Sequence, residues 1–174
     1  MKTTPLRLEE RLGKFLKQCG KTISVAESCT GGLISHRITN VPGSSEYYER
    51  GVVSYSNQSK ISILLVSSIT LNKFGAVSRQ TAEEMARGIR QISGTDLGIA
   101  TTGIAGPGGG STEKPVGLVY ICLSSKEKTI CRRFTFEGSR EEIKMQTSEA
   151  ALRIVVNHLL SILKSKDGRS EPQN

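Results

Sequence analysis

Apolar residues at helical spacing predict three amphipathic helices in this chain. The first begins near Thr4 and Pro5, which suit an N-cap and a first turn, and has an apolar face formed by Leu8, Leu12, Phe15 and Leu16. The second follows Ser78, and its apolar face consists of Ala82, Met85, Ala86, Ile89 and Ile92. The third follows a capping-box pattern at residues 139–142 and continues to Lys164. Glycines end the first two helices, at Gly20 and Gly94.

Short apolar and β-branched runs between these helices predict five strands. They cover residues 22–26, a segment within 48–55, residues 97–102, residues 116–123 and residues 129–136, the last two forming a hairpin around 126–128. Shorter helices are predicted at about 31–39 and at 57–64. Helices and strands alternate along one chain, and the hairpin requires an antiparallel pair, so we predict an α/β fold. It is a single three-layer α/β/α sandwich with a mixed sheet, over residues 1–164, followed by a polar and disordered tail at 165–174.

Composition is that of an ordinary globular domain. The chain has 174 residues, of which 36% are apolar and 23% charged. No apolar run approaches the roughly 20 residues of a membrane span. The N-terminal residues do not resemble a secretory signal, so we expect a cytoplasmic protein without membrane contact.

The formal net charge of +8 raises the question of a nucleic-acid partner. Much of the excess lies on the first helix, and only 5% of residues are aromatic, with no Trp. Base-stacking surfaces need aromatic side chains, so nucleic acid is not the expected partner. The four cysteines lack metal-ligand spacing and there are only two histidines, so we expect reduced thiols, no metal and no cofactor.

Ser28 is the first candidate for chemistry. It follows a predicted buried strand and precedes Gly31 and Gly32 at a predicted helix start. A strand end fixes the hydroxyl, and free N–H groups of a helix start can hold an oxyanion or a phosphate. From spacing alone, a simple helix cap by Ser28 or Thr30 is the more common explanation.

The residue that would activate Ser28 is not fixed by spacing. His36 lies two helical turns further on, and His158 lies in the last helix, so neither suits a serine–histidine pair. A desolvated lysine is the other option, and Tyr55 and Lys60 flank a predicted strand-to-helix junction.

A second glycine-rich segment follows the predicted strand at 97–102. Residues 103–110 match neither a Walker A loop nor a dinucleotide fingerprint, and they lead into a strand. Backbone amides of such a loop can wrap a small ligand, with Thr101 and Thr102 at the strand end. Arg140 and Lys144, in the first turns of the last helix, can meet a phosphate or form an exposed positive face.

Several segments, in the same order, resemble the CinA C-terminal domain family across about residues 6–163. They are Ala26–Gly32 with the sequence AESCTGG, Ser54–Asn57 with Lys60, Gly75–Ser78, Thr102–Gly109 with the sequence TGIAGPGG, Lys114–Gly117 and Phe136–Arg140. The resemblance implies an α/β/α domain that hydrolyses the amide of nicotinamide mononucleotide (NMN) to nicotinate mononucleotide and ammonia, without a metal, in pyridine-nucleotide salvage.

The same resemblance implies roles for individual residues. Ser28 corresponds to the nucleophile, and Tyr55 and Lys60 to the groups that activate it. Substrate contacts are expected from Cys29, Thr30, Gly31 and Gly32, whose amides would hold the oxyanion, and from Thr102, Gly103, Ala105, Gly106, Gly108, Gly109 and Arg140. Lys144 stands where many relatives have arginine, which weakens a phosphate role there because lysine lacks the bidentate fork.

The family also implies a homodimer or higher oligomer, and the chain looks like the stand-alone form of the domain. Two alternatives stay open at this point. One is a nucleotide-binding or competence- and recombination-associated module without catalysis, and the other is an amidase for a different amide.

Overall fold

The computed structural model describes residues 6–167 and forms one five-stranded sheet. The strands are β1 (Ile23–Glu27), β2 (Tyr48–Val53), β3 (Leu97–Gly103), β4 (Leu118–Ser124) and β5 (Thr129–Thr135). Their order across the sheet is β2-β1-β3-β4-β5. β1 is parallel to β2 and β3, whereas β4 is antiparallel to β3 and β5. The predicted mixed sheet is confirmed.

Helices cover both faces of the sheet. One face carries α1 (Leu8–Cys19), α2 (Leu33–Thr39) and α6 (Arg140–Asp167), and the other carries α3 (Asn57–Leu64), α4 (Ser68–Phe74) and α5 (Arg79–Ser93). A 3-10 turn, Ser44–Glu46, precedes β2. The three-layer α/β/α architecture is therefore the predicted one.

The two faces of the sheet differ in the size of their side chains. Ile23 and Val25 of β1 belong to the core under α1 and α6, while Ala26 and Ala100 belong to the core under α5. On the α5 side, a Cβ added at Gly98 would overlap the Ala86 carbonyl oxygen. Small residues on this face therefore allow α5 to lie close against the sheet.

Several element boundaries differ from the predictions. α1 begins at Leu8, and Arg7 is its N-cap, whose N–H donates to Glu10 Oε2 at 2.8 Å. The predicted cap and first turn at Thr4 and Pro5 lie outside the described residues. α2 begins at Leu33, after the predicted start, because Gly31 and Gly32 have φ of +62° and +98°.

Three further differences concern β4, the connection between α3 and α5, and the end of α6. β4 begins at Leu118, because Gly117 has φ of +88° and its N–H donates to the Ile104 carbonyl. The helix α4 was not predicted from the sequence. α6 extends three residues beyond the predicted end at Lys164, and the rest of the predicted tail, 168–174, lies outside the described residues.

The expectation that all cysteines are reduced is wrong for one pair. Cys122 of β4 and Cys131 of β5 form a disulfide, with their Cα atoms 4.1 Å apart. They are partners in the antiparallel register of the hairpin, which brings the two thiols together although nine residues separate them. Cys19 and Cys29 are buried thiols outside this bond.

The parallel part of the sheet determines where a site can form. The carboxyl ends of β1, β2 and β3 lie at one edge, and the chain leaves each strand there into a loop. The segments that follow these three strands begin at Ser28, Ser54 and Ile104. No helix in the described part of the chain combines the length and apolar character that crossing a bilayer requires.

Candidate active site

Ser28 and Lys60 meet at the carboxyl edge of the sheet. Ser28 is the first residue after β1, and its N–H donates to the Thr101 carbonyl of β3 at 3.1 Å. Lys60 lies one turn into α3, the helix that follows β2. The Lys60 Nζ donates to Ser28 Oγ at 3.2 Å and to the Ser54 carbonyl at 2.8 Å. The fold therefore brings together the serine and lysine that spacing alone left apart.

The Lys60 ammonium is unusual because it is inside the protein. Only 1% of the Lys60 side chain is exposed, and it is the largest fully buried side chain of the described residues. Burial lowers the pKa of Lys60, since removal from water disfavours the charged form. A lysine with a lowered pKa is a competent base for a neighbouring hydroxyl.

Cys29, the neighbouring thiol, is in the opposite situation. It is 7% exposed, and burial raises the pKa of its thiol to about 12. Because the thiolate is the nucleophilic form of cysteine, Cys29 is protonated and unreactive at neutral pH. The geometry thus favours Ser28 over Cys29 as the nucleophile.

Glu27 supports the loop that carries Ser28, and sequence reasoning gave it no role. Its side chain is completely buried, and its carboxylate accepts hydrogen bonds from Gly32 N, Ile34 N, Ser35 N and Ser35 Oγ at 2.7 to 3.1 Å. The carboxylate therefore satisfies the free N–H groups at the start of α2. Its position immediately before the serine was the available signal.

The Glu27 contacts narrow the choice of oxyanion donors. The Gly32 N–H is bound to Glu27, and the Gly31 N–H donates to the Ser28 carbonyl at 3.2 Å. Neither the Cys29 N–H nor the Thr30 N–H donates to a backbone carbonyl of the described chain. The Thr30 hydroxyl contacts the Thr101 hydroxyl at 3.0 Å, and Thr30 has no exposed surface, so Cys29 is better placed than Thr30 to contact a substrate.

A cavity of about 280 Å³ opens above Ser28. It brings together most of the predicted site residues: Ser28, Cys29, Tyr55, Lys60, Thr102, Gly103, Ala105, Gly106, Gly108, Gly109 and Arg140. Thr30, Gly31 and Gly32 do not line it, whereas Ala76, Val77 and Ile104 do and had no predicted role. The Thr102 hydroxyl donates to the Ala76 carbonyl at 2.8 Å, which holds the 75–78 segment against the end of β3.

Arg140 connects two walls of this cavity. Its guanidinium donates to the Gly106 carbonyl at 2.7 Å and to the Tyr55 hydroxyl at 2.8 Å. Tyr55 lines the cavity and is 62% exposed. Its hydroxyl accepts the hydrogen bond from Arg140. Arg140 is the first residue of α6, after Ser139, whose N–H is capped by Glu142 at 2.7 Å as the sequence predicted.

The other basic residues considered for the site, His36, His158 and Lys144, do not line the catalytic cavity. The ring of His36 contacts the Asn40 amide on the exposed face of α2, and His158 lines a different cavity with Lys21 and Lys128. Lys144 lies outside the cavity lining, with its Nζ 3.7 Å from where a Gly31 Cβ would be. Residues 6–167 contain no cluster of three His, Cys, Asp or Glu side chains that could hold a metal.

The fold and this edge of the sheet define an α/β protein with a buried serine–lysine pair under a glycine-rich loop. The family model described as the CinA C-terminal domain matches residues 6–159. A competence-damage inducible protein of Moorella thermoacetica is 52% identical over 148 residues, covering 85% of this chain. A CinA-like protein of Chlorobium limicola is 47% identical over 161 residues, covering 90% of this chain.

Solved structures show the same relationship. The competence/damage inducible protein CihA of Agrobacterium tumefaciens is 41% identical, with a TM-score of 0.83, over 90% of this chain and 98% of that one. A CinA superfamily protein of Klebsiella pneumoniae is 31% identical, with a TM-score of 0.86, over 88% and 96% of the two chains. This chain belongs to the CinA C-terminal domain family. It spans only 36 to 38% of the length of the two curated relatives named above.

Proposed function

We propose that this domain is an amidohydrolase that converts NMN to nicotinate mononucleotide and ammonia by acyl transfer through Ser28. The observation that carries the proposal is the buried Lys60 amine at 3.2 Å from Ser28 Oγ, at the floor of an open cavity. A lysine held inside a protein without a carboxylate contact favours its neutral form, which is the form that accepts a proton.

In the first step, Lys60 Nζ accepts the proton of Ser28 Oγ as the oxygen attacks the carboxamide carbon. The carbonyl double bond opens to an oxyanion, and we assign the backbone N–H of Cys29, which lines the cavity beside Ser28, as its donor. Collapse of this intermediate breaks the C–N bond. Lys60 returns the proton to the departing nitrogen, so that ammonia leaves and the acyl group stays on Ser28 as an ester.

Water completes the cycle. Lys60, neutral again, accepts a proton from a water molecule that attacks the ester carbon. The ester bond breaks, the proton passes to Ser28 Oγ, and the carboxylic acid leaves as nicotinate mononucleotide. All protons in this sequence move through Lys60, while Tyr55, hydrogen-bonded by Arg140, forms part of the cavity wall.

The substrate assignment comes from the family resemblance and fits the cavity in two respects. A volume of about 280 Å³ suits a single nucleotide or a part of one. Arg140 supplies a guanidinium at the mouth, where the phosphate of a nucleotide held by its amide would lie.

The test is ammonia release from NMN by purified protein, compared with a Ser28→Ala variant. The variant should lose at least about a thousandfold in kcat, because removal of the nucleophile leaves only binding and oxyanion contacts. Cys29→Ala is the matched control and should stay active. Full activity in Ser28→Ala would overturn the serine assignment.

The same assay separates the alternatives. Release from nicotinamide or nicotinamide riboside at the same rate as from NMN would indicate a different amidase that ignores the phosphate. If NMN binds but no amide is cleaved, the domain is a nucleotide-binding module without catalysis.

A further inference from the structure

A second cavity lies beside the catalytic one, on the other side of the segment that ends α4 and begins α5. Its volume is about 470 Å³. It is lined by Phe74, Val77, Ser78, Arg79, Gln80 and Lys114, and by Tyr120, Cys131, Arg132 and Arg133 of the β4–β5 hairpin. Val77 belongs to the lining of both cavities, so the two are neighbours separated by a thin wall.

The charge of this second cavity is one-sided. Four cationic residues line it, Arg79, Lys114, Arg132 and Arg133, and among the described residues no Asp or Glu does. The side chain of Arg133 is on the α5 face of the sheet, whereas that of Arg132 is on the opposite face, because its partner Ile121 belongs to the core under α1 and α6. The four residues come from three separate parts of the chain: α5, the loop after β3, and β5. Within the same part of the structure, the only ion pair of the four joins Arg79 to Glu83 at 2.9 Å. Lys114 and Arg133 have no such counter-charge among the described residues, so their like charges repel one another and a bound anion relieves that repulsion.

The start of α5 adds to the positive field. Ser78 caps this helix of 15 residues, and its Oγ accepts from the Thr81 N–H at 3.2 Å. The N–H groups of Arg79 and Gln80 precede the helix's own hydrogen bonding, and both residues line the cavity. Two guanidinium groups, Arg79 and Arg133, can each bind phosphate oxygens through paired N–H groups.

The walls of the cavity are held in place. The Lys114 Nζ donates to the Phe74 carbonyl at 2.8 Å, which joins the loop after β3 to the end of α4. The disulfide from Cys122 fixes Cys131, and with it the strand that carries Arg132 and Arg133. Anchored walls reduce the ordering cost of binding, which suits a small ligand better than a flexible surface would.

We propose that this cavity is a binding site for a small molecule with phosphoryl groups, separate from the catalytic cavity. The charge pattern fits a diphosphate, or the phosphate chain of a nucleotide, because several cationic residues line one cavity. A ligand there contacts Val77, whose neighbour Ala76 is bonded to Thr102 of the catalytic cavity, so binding can alter the catalytic wall.

Isothermal titration of the full chain with inorganic pyrophosphate, at constant ionic strength, tests the proposal. We expect saturable binding at one site per chain, weakened about tenfold or more by Arg133→Gln and by Arg79→Gln. Arg153→Gln is the matched control, because Arg153 is an exposed arginine of α6 paired with Glu149 at 2.8 Å. Absence of saturable binding at millimolar pyrophosphate, or equal weakening by the control, would overturn the proposal.

A competition experiment determines whether the site is separate. In the Ser28→Ala variant, pyrophosphate should still bind at one site per chain when NMN is saturating. If NMN displaces pyrophosphate, the cavity holds the substrate's own phosphate, and the proposal of a separate site fails. Because pyrophosphate binding needs no turnover, this result is independent of whether the domain is an NMN amidohydrolase.

Discussion

The two neighbouring cavities use their cations in different ways. In the catalytic cavity, Lys60 is buried and bonded to Ser28 and to the Ser54 carbonyl. In the second cavity, called the basic cavity from here on and lined by Arg79, Lys114 and Arg133, Arg133 is exposed and Arg79 is paired with Glu83 of its own helix. Burial changes the pKa of an amine and makes it reactive, whereas exposure leaves a guanidinium charged and able only to bind. The first arrangement is suited to proton transfer and the second to anion recognition.

Removing the buried amine should have the largest effect. Lys60→Met keeps most of the side-chain volume but removes the base, so we expect kcat for NMN to fall by about a thousandfold or more. The variant should not unfold at a lower temperature than the normal protein, since a buried amine is replaced by an apolar group. Lys144→Met is the control, because Lys144 lies near Gly31 but outside the cavity lining. A Lys60→Met variant with more than a tenth of the normal rate would contradict the proposed base.

Substitution of Glu27, a residue that positions Ser28, should have the second largest effect. Glu27→Gln places an NH₂ group opposite backbone N–H donors that the carboxylate now satisfies, so at least one buried donor loses its partner. We expect a loss of about 2 kcal/mol in the free energy of unfolding. We also expect a fall of about a hundredfold in kcat with little change in KM, since Ser28 would be misplaced.

The control for Glu27 is Glu46→Gln, at an exposed surface ion pair with Lys17. That variant should change neither stability nor rate measurably. If Glu27→Gln lowered stability while kcat stayed normal, Glu27 would be a structural cap of α2 without influence on the nucleophile.

The pH dependence of activity should follow the lowered pKa of Lys60. Below that pKa the amine is protonated, so kcat/KM should fall tenfold for each pH unit, and the midpoint should lie below the ordinary lysine value of 10.5. The stability contributed by Lys60 also increases with pH. Between the lowered pKa and 10.5 the unfolded chain binds the extra proton, so the free energy of unfolding contributed by Lys60 rises with pH.

This pH effect can be assigned to Lys60 by comparing denaturant unfolding of the normal protein and Lys60→Met across the alkaline range. The variant should lose the part of the pH slope that belongs to Lys60. An acid limb in kcat/KM at or above pH 10.5 would contradict the assignment of Lys60 as the base.

The parts of the catalytic site that follow from local sequence were predictable, and those that depend on long-range packing were not. Ser28 at a strand end and the loop from Gly103 could be found from glycine placement and strand pattern. The Lys60–Ser28 contact joins residues 32 apart; spacing offered Lys60 only as one candidate base, and the family resemblance matched it to Ser28. The four contacts of Glu27 depend on the positive φ of Gly31 and Gly32, which spacing does not reveal.

The basic cavity was beyond sequence reasoning for a related reason. Its cations are scattered over residues 79–133, so no run of charges marks them. The Cys122–Cys131 bond could have been found from hairpin register, because the two residues face each other across a turn centred near residues 126 and 127. General reasoning about the cell compartment led away from it.

The smallest effect is expected from substituting one arginine in each cavity, and it should show which cavity contacts the substrate's phosphate. Arg140→Met removes the guanidinium at the catalytic mouth and its bonds to Tyr55 and Gly106, so we expect KM for NMN to rise about tenfold with kcat nearly unchanged. A phosphate contact stabilises substrate and transition state equally, which explains why only KM moves.

Arg133→Met should leave KM for NMN unchanged. With nicotinamide riboside, which has no phosphate, Arg140→Met should lose its effect. If Arg133→Met raised KM and Arg140→Met did not, the substrate phosphate would lie in the basic cavity, and the two cavities would form one extended nucleotide site.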